Sequence, residues 1–227
     1  MGLSQHFGTP IFSMIAEGEK YNQIQDELWG VYNQLNMKHL PFAPDAHDVS
    51  TDKNDKFFRG DVLKAYECDY FLSYLDHAVR QYIKGVENAQ VGLKDGKPVQ
   101  VEFKRSINYY ISESWFTRTN HLRYAPNHNH GDSDIAGVYY LDTNGKDGSI
   151  KIKSPNRYFV GNYIYSIMTA SDCSIPLKNG VLGLWPAILD HSTEINETDH
   201  ERISLSFNIV FKDKALTGLD TTDHNYF

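Results

Sequence analysis

The chain has 227 residues, 41% of them hydrophobic and 22% charged, with 15 Tyr, 12 Phe and a formal net charge of -7. That aromatic content argues against a disordered chain, and the length fits one domain with a sizeable core. The acidic balance carries no Lys/Arg run and speaks against nucleic acid as a partner. There is no 18-residue apolar stretch and no leader with a charged and an apolar region, so neither a membrane span nor export is expected.

Taken in chain order, residues 17–37 space Ile24, Leu28, Val31, Tyr32 and Leu35 along one helical face. A proline-bounded loop is expected over 41–55. A long amphipathic helix is predicted over 61–84, with Asp61 as its N-cap and Gly85 as its stop. After a turn at Lys94-Asp95-Gly96-Lys97 the pattern shortens to strands at 99–103, 107–113, 115–119, 135–142, 149–152, 181–185 and 203–211. In the last of these, Leu205, Phe207 and Ile209 alternate with Ser204, Ser206 and Asn208. Residues 154–179 form a long connection of the kind that often serves binding, and the tail beyond 212 is polar. Helices followed by strands predict an α+β chain: one domain over 1–227, with helical support in 1–92, a β core in 93–211 and a polar tail in 212–227. Cys68 and Cys173 lie outside any C-x-x-C spacing, which points to a reducing, cytoplasmic setting.

Chemistry concentrates in two histidine-bearing segments. In extended backbone, residues i and i+2 share a face, so His128 with His130, or His130 with Asp132, can converge on one ion. His191 follows a Gly…Trp-Pro turn, and Arg202 and Ser204 follow on the next strand. Two imidazoles and one carboxylate on one face leave positions open on an oxygen-activating iron. An arginine fork can grip a carboxylate through two parallel hydrogen bonds, and Ser204 shares its face. The other histidines, His6, His39, His47, His77, His121, His200 and His224, read as structural or exposed. Trp115 and Trp185 read as core, Gly137 as a close-packing strand glycine, and Lys151, Lys153, Asn156 and Arg157 as a solvated face.

The motifs H-N-H-G-D-S-D-I-A-G-V-Y-Y-L, G-V-L-G-L-W-P-A-I-L-D-H and E-R-I-S-L-S-F-N resemble the 2-oxoglutarate- and Fe(II)-dependent oxygenase superfamily. They are most similar to a small group common in phages and marine bacteria, which has Ser where this chain has Ala136. The resemblance covers roughly the C-terminal half. It implies a double-stranded β-helix (jelly roll) braced by N-terminal helices, with Fe(II), 2-oxoglutarate and O2 consumed and succinate and CO2 released. It carries His191 over as the distal iron ligand and Arg202 with Ser204 as the grip on the C5-carboxylate, joined by Tyr140 or Tyr139. His130 is a ligand in both possible frames; the remaining ligand is His128 if the frame is H-x-H and Asp132 if it is H-x-D. Hydroxylation of a peptidyl or free amino acid is the expected reaction, in the host cytoplasm if the chain is viral. The alternatives are a cupin-like metal enzyme that uses no 2-oxoglutarate and a non-catalytic jelly-roll binding or virion protein.

Overall fold

The computed structural model describes residues 9–39, 45–51, 61–89, 91–94, 97–100, 108–155 and 172–212. Its centre is β12 (Arg202–Phe211), which pairs antiparallel with β6 (Tyr109–Thr119) on one side and β7 (Ile135–Asp142) on the other. The sheet continues through β10 (Val181–Pro186) to β1 (Phe12–Ile15), and on the opposite flank through β3 (Asp48–Thr51) to β2 (Asn36–His39). A second sheet lays β8 (Ile150–Lys153) between β11 (His191–Thr193) and β9 (Asp172–Ser174). Separately, β4 (Val91–Lys94) pairs antiparallel with β5 (Lys97–Gln100), and residues 95–96 of the expected turn lie outside the described residues. This is an α+β jelly roll.

Strand alternation divides the core in two. Ile203, Leu205, Phe207 and Ile209 of β12 and Ile135, Tyr139 and Leu141 of β7 face α1 (Gly18–Tyr32) and α3 (Asp69–Ala89). There Phe71 packs edge-on against Tyr139 at 5.2 Å and against Phe207 at 5.9 Å. Each such buried side chain contributes about 1.5–3 kcal/mol. Ala136, Val138 and Tyr140 face the other way, into a second cluster with Ile150, Ile152 and Trp185 between the sheets. Gly137 lies opposite Phe207, and a Cβ there would come within 2.2 Å of the Phe207 ring, so the position requires glycine as expected.

The structure departs from the sequence expectations at several elements, among them the strands expected over 107–113 and 115–119, which run together as β6. The helix expected over 61–84 is broken into α2 (Val62–Ala65) and α3, which runs past Gly85 to Ala89. Between them Glu67 takes a left-handed conformation (φ 50°), while the N–H groups of Cys68 and Glu67 return to the carbonyls of Leu63 and Lys64. That is a Schellman stop, and periodicity missed it because the apolar stripe continues on both sides. Asp61 does cap α2, accepting the Lys64 N–H at 3.2 Å. The first third also supplies β1, β2 and β3 to the main sheet, each too short to show a period of its own. β9 lies within the expected 154–179 connection; residues 156–171 and the tail from 213 onward lie outside the described residues.

Candidate active site

The face of the main sheet that meets β8 and β11 carries a line of polar groups. On β12 these are Arg202, Ser204, Ser206 and Asn208; directly opposite on β6 stand Thr119, Thr117, Trp115 and Glu113. A half-buried strand is expected to turn its polar side to water. Here Arg202, Ser204 and Asn208 are only 2–4% exposed, because that side faces a cavity between the sheets.

At one end of the cavity three histidines meet. The segment carrying His128 runs antiparallel beside β11, the His128 N–H donating to the His191 carbonyl at 2.9 Å and the His191 N–H returning to His128 at 2.8 Å. This sets the two rings 4.3 Å apart. His130, two residues on, adds its ring 5.0 Å from His128 and 5.1 Å from His191. One ring nitrogen from each lies within 4.8 Å of the others. The His128 Nδ1–H donates to the Pro126 carbonyl at 2.7 Å and the His191 Nδ1–H to the Leu189 carbonyl at 3.0 Å, which leaves Nε2 of both as a lone-pair donor. His130 Nδ1 lies 3.3 Å from the Asn208 amide. Burial, reinforced by the neighbouring imidazoles, pulls His130 down to about 3 and His191 down to about 4. Both are therefore neutral at pH 7, the form that binds a metal.

Asp132 does not join this group. The Ser133 N–H returns to the His130 carbonyl at 2.9 Å, closing a turn over 130–133 that carries Asp132 out to solvent. The backbone is extended from 128 to 130 but not from 130 to 132, so the i, i+2 rule holds for the first pair only. Among the described residues the cluster is three imidazoles without a carboxylate.

Arg202 lines the same cavity, buried to 2%. Its Nη1 donates to the carbonyls of Asp147 (2.8 Å) and Gly148, and its Nη2 donates to Thr119 Oγ1 at 3.0 Å. Among the described residues its buried Nε has no hydrogen-bond partner, and neither has Trp185 Nε1. Burial lowers the Arg202 pKa, opposed by Tyr140, Asp147 and Glu194, and a guanidinium keeps its charge regardless. Ser204 Oγ is 2.7 Å from Thr117 Oγ1, and the Tyr140 hydroxyl accepts the Ile150 N–H at 3.2 Å. Strand alternation separates the two tyrosines: Tyr140 lines the cavity, while Tyr139 points to the helices, where its hydroxyl accepts from Gln25 at 3.3 Å. Tyr139 is thus placed away from the site.

Several cavity residues carried no functional expectation. His47 lines the wall between Arg202 and His128, brought there by the bridge of Ala46 to Tyr124. Burial first, then the neighbouring Arg202 and His128, pulls it down to about 4 against the raising effect of Asp48. No local pattern around residue 47 signals this. Trp115 and Trp185, expected as core, both border the cavity, and Trp185 is core as well. Asn208, which meets the cavity through His130 rather than lining it, was findable, since it continues the Arg202–Ser204–Ser206 face. Among the remaining histidines, His39 pairs with Asp48, His121 meets the Thr198 carbonyl, and His200 lies 3.5 Å from Asp142 and 3.6 Å from Asp147. Lys151 pairs on the surface with Glu194, while His6, His224, Asn156 and Arg157 lie outside the described residues.

Residues 113–208 match the model of a family described as "Putative 2OG-Fe(II) oxygenase". No curated protein sequence matches the chain. Among solved structures, the non-heme alpha ketoglutarate dependent epimerase SnoN from nogalamycin biosynthesis superposes with a TM-score of 0.57 at 11% identity, over 89% of this chain and 78% of that one. HygX from Streptomyces hygroscopicus, solved with nickel, 2-oxoglutarate and hygromycin B, gives 0.53 at 13% identity, over 89% and 83%. A Pseudomonas putida prolyl-4-hydroxylase gives 0.50 at 11% identity, over 88% and 92%. At such identities the likeness is one of fold. The segment matched by sequence, less than half of the chain, contains His128, His130, His191, Arg202 and Asn208, and the fold around it is similar to that of these solved oxygenases.

Proposed function

We propose that the chain is a 2-oxoglutarate-dependent dioxygenase that hydroxylates a C–H bond of a peptidyl or free amino acid. His128, His130 and His191 would hold the Fe(II), and Arg202 would hold the far carboxylate of 2-oxoglutarate. One observation carries this reading: three imidazoles with converging ring nitrogens share a cavity with a buried guanidinium that still has N–H groups to give. With both Nη1 hydrogens on carbonyls and one Nη2 hydrogen on Thr119, what remains is Nε–H and one N–H of Nη2. Those two are suited to a carboxylate. The unpartnered indole N–H of Trp185 offers one more donor.

Bound iron and 2-oxoglutarate would supply the oxidant for C–H hydroxylation, with succinate and CO2 as products. The chain's own residues do the rest. Carbonyl tethers at Nδ1 fix the His128 and His191 rings in their ligating orientation. Three imidazoles bring no negative charge to the cluster, so a dianionic co-substrate would offset the metal. Trp185 and Ile150 keep the inner wall dry, while half-buried Trp115, its ring 5.8 Å from His130, borders the side left for a substrate. The net charge of -7 favours an amino acid or peptide over a nucleic acid there.

A second reading, a three-histidine metal enzyme that uses no 2-oxoglutarate, draws on the missing carboxylate and on the protein contacts Arg202 already makes. Anaerobic titration with Fe(II) and then 2-oxoglutarate separates the two. The favoured reading expects a weak visible charge-transfer band that Arg202→Ala shifts to much higher 2-oxoglutarate. Fe(II) binding with no such band would leave the second reading standing.

A further inference from the structure

The three histidines are not tethered alike. His128 and His191 rest on backbone carbonyls, whereas Nδ1 of His130 faces the side-chain amide of Asn208 at 3.3 Å. The His130 carbonyl is engaged by Ser133, and its own N–H is held by the Ala187 carbonyl at 2.9 Å. Asn208 is 2% exposed and locked between β6 and β7, opposite Glu113 and Ala136. Its Nδ2 donates to Glu113 Oε2 at 3.2 Å, while its buried Oδ1 has no partner among the described residues.

We infer that Asn208 is the positioning residue of His130, its amide oxygen accepting the Nδ1–H of that imidazole when Nε2 takes the metal. The inference rests on the metal reading given above. A neutral imidazole that coordinates through Nε2 must carry its proton on Nδ1, and that proton needs an acceptor. The two ends of a side-chain amide are nearly the same size, so turning the group over places Oδ1 where Nδ2 now stands. The turned amide gives the orphaned oxygen a donor and gives His130 the anchor its two partners already have. It does so at the expense of the contact with Glu113, so metal binding at His130 and the Glu113 contact compete for one amide.

Co(II) titration of the full chain tests this with two variants, metal affinity being the readout. Asn208→Asp keeps an acceptor against Nδ1–H and should bind Co(II) within about threefold of the parent. Asn208→Leu keeps the bulk and removes the acceptor, and should bind about 10–100-fold more weakly. If the Asp and Leu variants bind alike, the positioning role is overturned. Should the Leu variant fail to fold, ring-nitrogen NMR of the Zn(II)-loaded parent decides. His130 coordinated through Nε2, with its Nδ1–H protected from exchange, supports the role; coordination through Nδ1, or a freely exchanging Nδ1–H, overturns it. A parent that binds no Co(II), or a His191→Ala variant that binds as the parent does, removes the metal reading and this inference with it.

Discussion

Side chains at the site are tuned mainly by burial, and that has a measurable consequence. His130 and His191 stand at about 3 and about 4 in the folded chain, against about 6.5 when unfolded. Between those values the unfolded chain binds more protons, so stability rises with pH across the window and is lost as pH falls below about 6.5. The metal-free protein should therefore melt lower at pH 5 than at pH 7, and His130→Asn should flatten that slope; an unchanged slope would contradict the burial argument. At this scale the meeting of His130, His191, Arg202 and Ser204 at one cavity was legible, because residue type and spacing signalled that they belong together. Which of His128 and Asp132 lies beside the other two imidazoles was not, because it depends on a turn closed by one backbone hydrogen bond at Ser133. His47 was invisible for a related reason: it reaches the cavity only through a bridge to Tyr124, far along the chain.

Elements carried their own signals unevenly. The alternation of β12 was readable and fixes which side chains share the cavity face, whereas the four-residue strands β1 to β3 are too short to show a period. The broken helix shows the opposite failure, a period that continues through a stop. Because Glu67 sits at φ 50°, where a Cβ costs roughly 1–2 kcal/mol, Glu67→Gly should not destabilise the fold and should raise stability by up to about 1 kcal/mol. Chemical denaturation measures this, and a clear loss would mean that the stop is held by something other than the turn. Gly137 gives the converse case. A methyl within 2.2 Å of the Phe207 ring should cost about 1–3 kcal/mol in Gly137→Ala. Adding Phe207→Leu should restore part of the loss by opening that space; a double variant no better than the single would show that the clash lies elsewhere.

At the scale of the molecule, one sheet does two jobs. Its apolar face buries the helices and supplies most of the core, and its polar face, closed by β8 and β11, forms the cavity. The division follows from period-2 alternation in β6, β7 and β12. A change on the helix face should therefore move stability more than metal binding, and a change on the cavity face the reverse. Phe71→Ala, expected to lower stability by about 3–5 kcal/mol, should leave the Co(II) affinity of the folded protein within a few-fold. His191→Ala should abolish that affinity with a far smaller effect on melting, and two variants that lose both properties together would break the division. The most direct measurement is a crystal structure of the chain loaded with nickel and 2-oxoglutarate. The expected result is Nε2 of His128, His130 and His191 about 2.0–2.2 Å from one metal, with the far carboxylate against Arg202 Nε. A metal held by Asp132, or a co-substrate carboxylate lying away from Arg202, would contradict it.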